Sequence, residues 1–282
     1  MSHPSTSRRA LVTGASAGIG AAFARALAAR GHDLVLTARR VDRLQSLAAD
    51  LKRSHGVDVV VAPADLADPA TPAQLVAALQ QRHLGIDMLV NNAGYGVPGY
   101  FHSQPWETHA AFMQVLMTAP TELAHRLLPG MRERGFGRIV NVASLAGHLP
   151  GSTGHTLYAA AKSYLIRFSQ SLALENRTRN IHVCALCPGF TYSEFHDVTG
   201  TRELVSRLPR WMWMDADRVV REGLDAVERG RIVHVPGRAN RLIKVAADML
   251  PDRLAMHLSA RHSKAYRAQE SSIENNAMQS GP

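Results

Sequence analysis

Seven short runs rich in β-branched residues alternate with helix-length stretches of Ala, Leu and Arg through most of this chain. They read RALV (9–12), DLVLTA (33–38), DVVVA (58–62), DMLV (87–90), RIVNVA (138–143), IHVCAL (181–186) and RIVHV (231–235). Strands separated by helix-length segments imply a parallel, doubly wound sheet of the α/β class, with about seven strands and helices on both faces. Several runs are apolar almost throughout, as expected where helices bury a strand on both sides. The first helix is expected to end near Arg30, with Gly31 placed to stop it. Another is expected from Thr71, an N-cap followed by Pro72 at the first helical position and Gln74 as a capping-box partner.

The 282 residues are 46% hydrophobic and 20% charged, which excludes a disordered, collagen-like or disulfide-built chain. With no long linker and no internal repeat, one domain is expected over 8–240, a helical extension over 241–267 and a polar tail over 268–282. No apolar run approaches the about 18 residues that cross a bilayer. Residues 1–9 lack the hydrophobic centre of a signal peptide, so a cytoplasmic protein is expected. Cys184 and Cys187 form a C-x-x-C inside an apolar run rather than at a helix start, and are expected to be structural thiols. No His, Cys, Asp and Glu cluster has metal-ligand spacing, so no metal is expected.

The formal charge is +9, and between Arg202 and Arg267 there are 14 basic against 8 acidic residues, so the excess is mostly C-terminal. It is open to two readings, a solvated Arg-rich face or a patch for anionic lipid or an acidic partner. No nucleic-acid motif accompanies it.

The first run leads directly into Thr13-Gly14-Ala15-Ser16-Ala17-Gly18-Ile19-Gly20 and an Ala-rich helix. Glycines at 14, 18 and 20 let the backbone turn tightly and approach a pyrophosphate at a helix N-terminus, where free N–H groups and the dipole favour anions. About 20 residues on, where a carboxylate would hold the ribose of NAD, the chain reads Ala38-Arg39-Arg40. A guanidinium there suits the 2′-phosphate of NADP(H). Arg39 is the expected phosphate ligand, with Ser16 or Arg40 assisting.

Ser144 is followed fourteen residues later by Tyr158, and Tyr158 by Lys162. The last two are i and i+4, so on a helix they share a face. A tyrosine pKa of about 10 is too high for efficient proton transfer near neutrality, and an adjacent ammonium would lower it. Lys162 is the only lysine between residues 53 and 243 in a chain with 28 Arg and 4 Lys. A compact ammonium, rather than a guanidinium, is therefore expected to matter there.

Taken together, Thr13–Gly20, Asp65-Leu66, Asn91-Asn92-Ala93-Gly94, Ser144, Tyr158/Lys162 and Pro188-Gly189 resemble, in their order, the short-chain dehydrogenase/reductase family over roughly residues 8–240. The resemblance implies a Rossmann-type fold with Tyr158 as general acid/base, Ser144 orienting the substrate carbonyl and Lys162 also holding the nicotinamide ribose. It implies that Asp65 and Leu66 flank the adenine, that Asn92, Ala93 and Gly94 line the cofactor cleft, and that Pro188, Gly189, Thr191 and Ser193 surround the nicotinamide. It also implies a homodimer or homotetramer.

One functional position departs from the pattern. Where the family usually carries an Asn that completes a catalytic tetrad, the chain has Leu116 in Val115-Leu116-Met117-Thr118-Ala119-Pro120. The family uses the main-chain carbonyl of that position to hold a water against the lysine. Pro120, four residues on, has no N–H, so in an α-helix the Leu116 carbonyl would be free for that task.

Ligands in open α/β sheets bind beyond the C-terminal ends of the strands. That selects three segments for the pocket: Tyr95–Phe101, Leu145–Leu157 and Phe190–Met214. The last holds Phe190, Tyr192, Phe195, Leu204, Leu208, Trp211, Met212, Trp213 and Met214. Such an apolar lid suits a bulky hydrophobic carbonyl compound, and it equally suits packing against the domain or a second subunit. His148, His155 and His196 lie near the same mouth. The extension beyond Gly237 is amphipathic, basic and Met-containing, open to packing on the domain, a subunit contact or a membrane surface.

The expected activity is hydride transfer between NADP(H) and a hydrophobic ketone, aldehyde or secondary alcohol. A membrane-surface reductase of fatty-acyl or steroid-like carbonyls and a non-catalytic NADP(H)-binding regulator are the alternatives.

Overall fold

The computed structural model describes residues 7–97, 99–154, 156–192 and 209–262. Its strands are β1 (Arg9–Thr13), β2 (Asp33–Thr37), β3 (Val59–Val61), β4 (Met88–Asn91), β5 (Gly137–Val142), β6 (Ile181–Leu186), β7 (Phe190–Tyr192), β8 (Trp213–Asp215) and β9 (Val233–His234). Seven of them form one parallel sheet in the order β3-β2-β1-β4-β5-β6-β9, while β7 and β8 pair separately. The helices are α1 (Gly18–Ala29), α2 (Val41–His55), α3 (Thr71–Gln81), α4 (Trp106–Met113), α5 (Ala119–Glu133), α6 (Thr156–Glu175), α7 (Ala216–Glu228), α8 (Arg238–Met249) and α9 (Asp252–His262).

Every strand run read from the sequence is present, with β9 shortened to two residues. The reason for the sheet is visible within single strands. Successive side chains point to opposite faces, and here both directions are apolar. Ala10 and Val12 join a core layer with Phe23 of α1, Leu44 of α2 and Leu224 of α7. Leu11 faces the other way, into a layer with Leu75 of α3, Phe112 of α4, Leu123 of α5 and Leu172 of α6. β1 pairs with both β2 and β4, so the chain winds outward in both directions from it. A crevice opens beyond the C-terminal ends of those two strands.

Local signals held in part. Gly31 ends α1 at φ +79°. Thr71, however, is the first residue of α3 and not its cap. The cap is Ala70, without a side-chain hydrogen bond, because Asp68 already closes the preceding turn. Asp68 accepts Ala70 N at its carboxylate (2.8 Å) and Thr71 N at its carbonyl (3.1 Å). Cys184 and Cys187 are free and fully buried on or just beyond β6, and burial pushes both thiols up to about 12.

Helix α8 begins at Arg238, inside the expected domain boundary, and its Asn240 is buried against Gly189. Ser259 of α9 donates to Gly151 O at 2.7 Å. Residues 263–282, including the expected tail, lie outside the described residues. No helix among those described is long and apolar enough to cross a membrane.

A 3-10 turn over Leu145–His148 packs on α6 with almost no clearance. A Cβ on Gly147 would stand 2.8 Å from the Lys162 carbonyl carbon and 2.9 Å from Ser163 N. Since those atoms are backbone, Gly147→Ala must push the turn off the helix. The expected result is a loss of about 1–3 kcal/mol in denaturant unfolding, together with lower activity because Ser144 opens this turn. Unchanged stability would show that the turn can slide freely.

Candidate active site

The Gly-rich turn sits at the crevice. Thr13 Oγ1 accepts from Asn92 N (2.9 Å) and Ala93 N (3.0 Å), and Asn92 Nδ2 donates to the carbonyls of Thr13 (3.0 Å) and Gly14 (3.2 Å). These bonds pin the turn against the Asn92–Gly94 segment. A Cβ at Gly20 would lie 2.2 Å from Gly14 O, so only glycine permits this closure. Gly14 and Gly18 both have positive φ, +64° and +54°. Helix α1 begins there with Ala17 as an N-cap that offers no side-chain acceptor and with no acid in its first turn. Free N–H groups and an unopposed dipole at that point fit a diphosphate.

At the other end of the crevice, Arg40 donates from Nε (3.2 Å) and Nη2 (3.1 Å) to Ser16 Oγ. Arg39 is exposed beside them. Arg39 and Asp65 both bear on the Tyr95 hydroxyl, which burial raises above its ordinary range while Arg39 lowers it and Asp65 raises it. Asp65 is exposed and accepts Ala67 N at 3.0 Å, whereas Leu66 is buried in the layer beneath. The basic pair, the uncapped helix and the glycine closure together fit a dinucleotide carrying an additional phosphate.

Ser144, Tyr158 and Lys162 come together as the spacing predicts. Ser144 Oγ accepts Ala146 N at 3.1 Å, which leaves its own hydrogen for the Tyr158 oxygen, and that hydrogen bond pulls the Tyr158 pKa down. Leu145 N donates to Pro188 O at 2.8 Å, linking this strand end to the Pro188-Gly189 segment. Thr191 is buried on β7 and donates to Gly189 O at 3.2 Å. Ser193 lies outside the described residues, as do Phe195, His196, Leu204, Leu208 and His155. A small depression of about 10 Å³ opens beside Tyr158, lined also by Val97, Gly99, Phe101, His109, Phe112, Thr156 and Leu157.

The family description "short chain dehydrogenase" matches residues 8–203. The chain belongs to that family. Nodulation protein G of Rhizobium sp. (strain N33) is 41% identical over 195 residues, 68% of this chain and 76% of that one. A short-chain dehydrogenase from Sphingobium yanoikuyae, solved in complex with NADPH, is 36% identical with a TM-score of 0.76, over 86% of this chain and 93% of that one. The bulky-bulky ketone specific alcohol dehydrogenase from Comamonas testosteroni is 32% identical with a TM-score of 0.71, over 87% and 95%.

Two features of this short-chain dehydrogenase differ from the sequence reading. The Tyr158 hydroxyl is not lowered. Burial pushes it up to about 12, with the Ser144 hydrogen bond working against that rise. The Lys162 ammonium, 5% exposed, donates to Val142 O at 2.8 Å and lies 5.6 Å from the centre of the Tyr158 ring. Burial lowers it to about 8, the nearby Cys187 acting in the opposite sense.

The second difference is at Leu116. Gln114–Thr118 is wound as a π turn, with Ala119 N donating to Gln114 O. In a π turn the donor for a carbonyl lies five residues on, so the N–H missing at Pro120 falls on the carbonyl of Val115 and not on that of Leu116. The Leu116 side chain, 1% exposed, fills the space beside Gly94 and near Lys162 Nζ.

Sequence reading missed His109 and Asn240. His109 stands on α4, three residues before Phe112 on the same face, a pairing visible only once α4 is recognised. Asn240 has no local signal, since its neighbour Gly189 is 51 residues away.

The buried ammonium carries a stability consequence. Between about 8 and the ordinary value of 10.5 the unfolded chain binds the lysine proton and the folded chain does not, so stability rises with pH there. Below that window the charged lysine costs stability. Lys162→Met is therefore expected to stabilise the protein free of nucleotide by about 1–3 kcal/mol at pH 7, a gain that fades as pH approaches 10. Thermal unfolding across pH measures it. Destabilisation at pH 7 would mean that the bond to Val142 O outweighs desolvation.

Proposed function

We propose that the protein is an NADP(H)-dependent oxidoreductase that interconverts a hydrophobic ketone or aldehyde and its alcohol, with Tyr158 as the general acid/base. The observation that carries this reading is a Tyr158 hydroxyl hydrogen-bonded to Ser144, one helical turn from Lys162, on a depression walled by Val97, Phe101, Phe112 and Leu157. The NADPH complex of the Sphingobium relative and the ketone specificity named for the Comamonas enzyme support it.

When bound, the nicotinamide supplies or accepts the hydride. The first-turn amides of α1 would hold the diphosphate, and Arg39, with Ser16 or Arg40 assisting, would hold the 2′-phosphate. The Ser144 hydroxyl orients the carbonyl oxygen, and Tyr158 delivers its proton to that oxygen as charge develops there. A phenol held near 12 keeps its proton at neutral pH, the state that a reduction requires. Lys162 holds the ribose and restores the proton. The apolar walls keep water from the reacting centre.

The test follows NADPH consumption with hydrophobic ketones, aldehydes and diketones, with NADH in parallel. Tyr158→Phe is expected to cut turnover about 100- to 10,000-fold, and Arg39→Asp to weaken NADPH far more than NADH. Turnover surviving in Tyr158→Phe overturns the acid/base assignment. Tight NADPH binding without turnover of any compound supports the regulator reading instead.

A second reading rests on α8. Leu242 (70%), Val245 (52%) and Met249 (79%) line its outward face at i, i+3 and i+7, with Arg238 at its start and exposed Arg253 on α9. Asp248 on the same helix is paired with Lys244, and Glu222 faces Arg241 at 3.6 Å. An apolar strip among arginines suits an anionic lipid surface, and a two-fold contact would bring like charges together. Sedimentation with phosphatidylglycerol vesicles at low salt, lost in Leu242→Asp/Met249→Asp, is the expected result. No sedimentation removes the reading, and self-association abolished by the same pair makes the strip a subunit contact.

A further inference from the structure

Among the residues that line the depression with Tyr158 is a histidine that the proton-transfer scheme does not use. His109 is 5% exposed and stacks on Phe101, with ring centroids 4.5 Å apart and planes inclined by 22°. Its Nε2 lies 2.8 Å from Phe101 O. A carbonyl oxygen only accepts, so Nε2 carries hydrogen and Nδ1 of the neutral ring offers a lone pair. Nδ1 is buried and has no hydrogen-bond partner among the described residues. Buried polar atoms are nearly always paired, and an unpaired one at a ligand cavity points to a ligand. The contact with Phe101 accounts for Nε2 and the ring face, and leaves Nδ1 without a role.

Building on the reductase reading, we propose that His109 is a specificity-determining residue whose Nδ1 accepts a hydrogen bond from the substrate. The substrate class is then narrower than a hydrophobic carbonyl. It is an otherwise apolar ketone or aldehyde that carries one hydroxyl or N–H donor away from the reacting carbon. Val97, Phe112 and Leu157 contact the apolar body, Tyr158 and Ser144 take the carbonyl, and His109 reads the donor. A site built to pair such a group rejects the analogue that lacks it, because its own polar atom is then left buried and unpaired.

The experiment uses the full chain with NADPH and a matched series of aryl and alicyclic ketones, each bare, hydroxylated at successive ring positions, and methoxylated at the same positions. At least one hydroxylated position is expected to be favoured by about 10-fold or more in kcat/KM, mainly through KM. His109→Phe should erase that preference, read as the ratio of kcat/KM for the hydroxylated ketone to that for the bare one. His109→Gln should keep most of it, because its amide can donate to Phe101 O and still accept from substrate. Where a ketone does not turn over, calorimetric binding of the same series in the presence of NADPH reads the same discrimination.

No favoured hydroxyl position in either assay, or a preference that survives in His109→Phe, overturns the proposal. A preference for the methoxy compounds also overturns it, since a doubly protonated ring would then be donating. Tyr158→Phe separates the two levels. If it retains turnover, the reductase reading itself fails; if it is inactive while His109 variants change nothing, only the role of His109 fails.

Discussion

One hydroxyl holds the crevice open. Thr13, 1% exposed at the end of β1, donates to Val90 O at 3.3 Å and accepts from both Asn92 N and Ala93 N. Just beyond the ends of β1 and β4 the ladder stops, and backbone amides there would otherwise be buried without partners, a costly state. By satisfying two of them, Thr13 lets the chain turn away from the sheet in two directions at adjacent strands. The Gly-rich turn leaves from one strand and the Asn92–Gly94 lip from the other. The diphosphate cradle, Tyr95 and the depression beyond it all take their positions from that junction.

A second buried network orients the opposite side. Asn91 Nδ2 donates to Asn141 Oδ1 (2.9 Å) and to Pro120 O (3.1 Å), Asn141 Nδ2 to Ser169 Oγ (2.8 Å), and Ser169 Oγ to Leu165 O (2.7 Å). It crosses from β4 to β5 and ties them to α6 and to the start of α5. Low dielectric makes each of these bonds strong and each loss expensive, so α6 is held in rotation and height. That is what places Lys162 under Val142 and Tyr158 at the cavity. The π turn belongs to the same arrangement, because it delivers the Pro120 carbonyl to Asn91 despite the N–H that proline lacks.

Much of this was legible in the sequence, for identifiable reasons. The strands were readable because burial on both faces leaves a continuous apolar run with no competing local pattern. The glycine turn and the Tyr158/Lys162 pair were readable because their geometry is local, spanning one turn of backbone each. What escaped depends on distances that the chain spans only when folded. Thr71 has every local mark of a cap, yet the turn that Asp68 closes makes it the first helical residue and leaves the cap to Ala70. Leu116 was read on an α-helical register that the π winding replaces. His109 shares a depression with Tyr158, and Asn240 packs on Gly189, across gaps of 49 and 51 residues where no periodicity connects them.

The protonation pattern of the Tyr158/Lys162 pair is the sharpest such case, because adjacency along a helix does not by itself give electrostatic coupling. Coupling needs the charge to face the oxygen, and here the ammonium faces Val142 O while the phenol faces Ser144. Burial then acts on the two groups in opposite senses, raising Tyr158 to about 12 and lowering Lys162 to about 8. A phenol so held does not ionise ahead of the reaction. Desolvation is thus the largest influence on each of the two groups in the protein free of nucleotide.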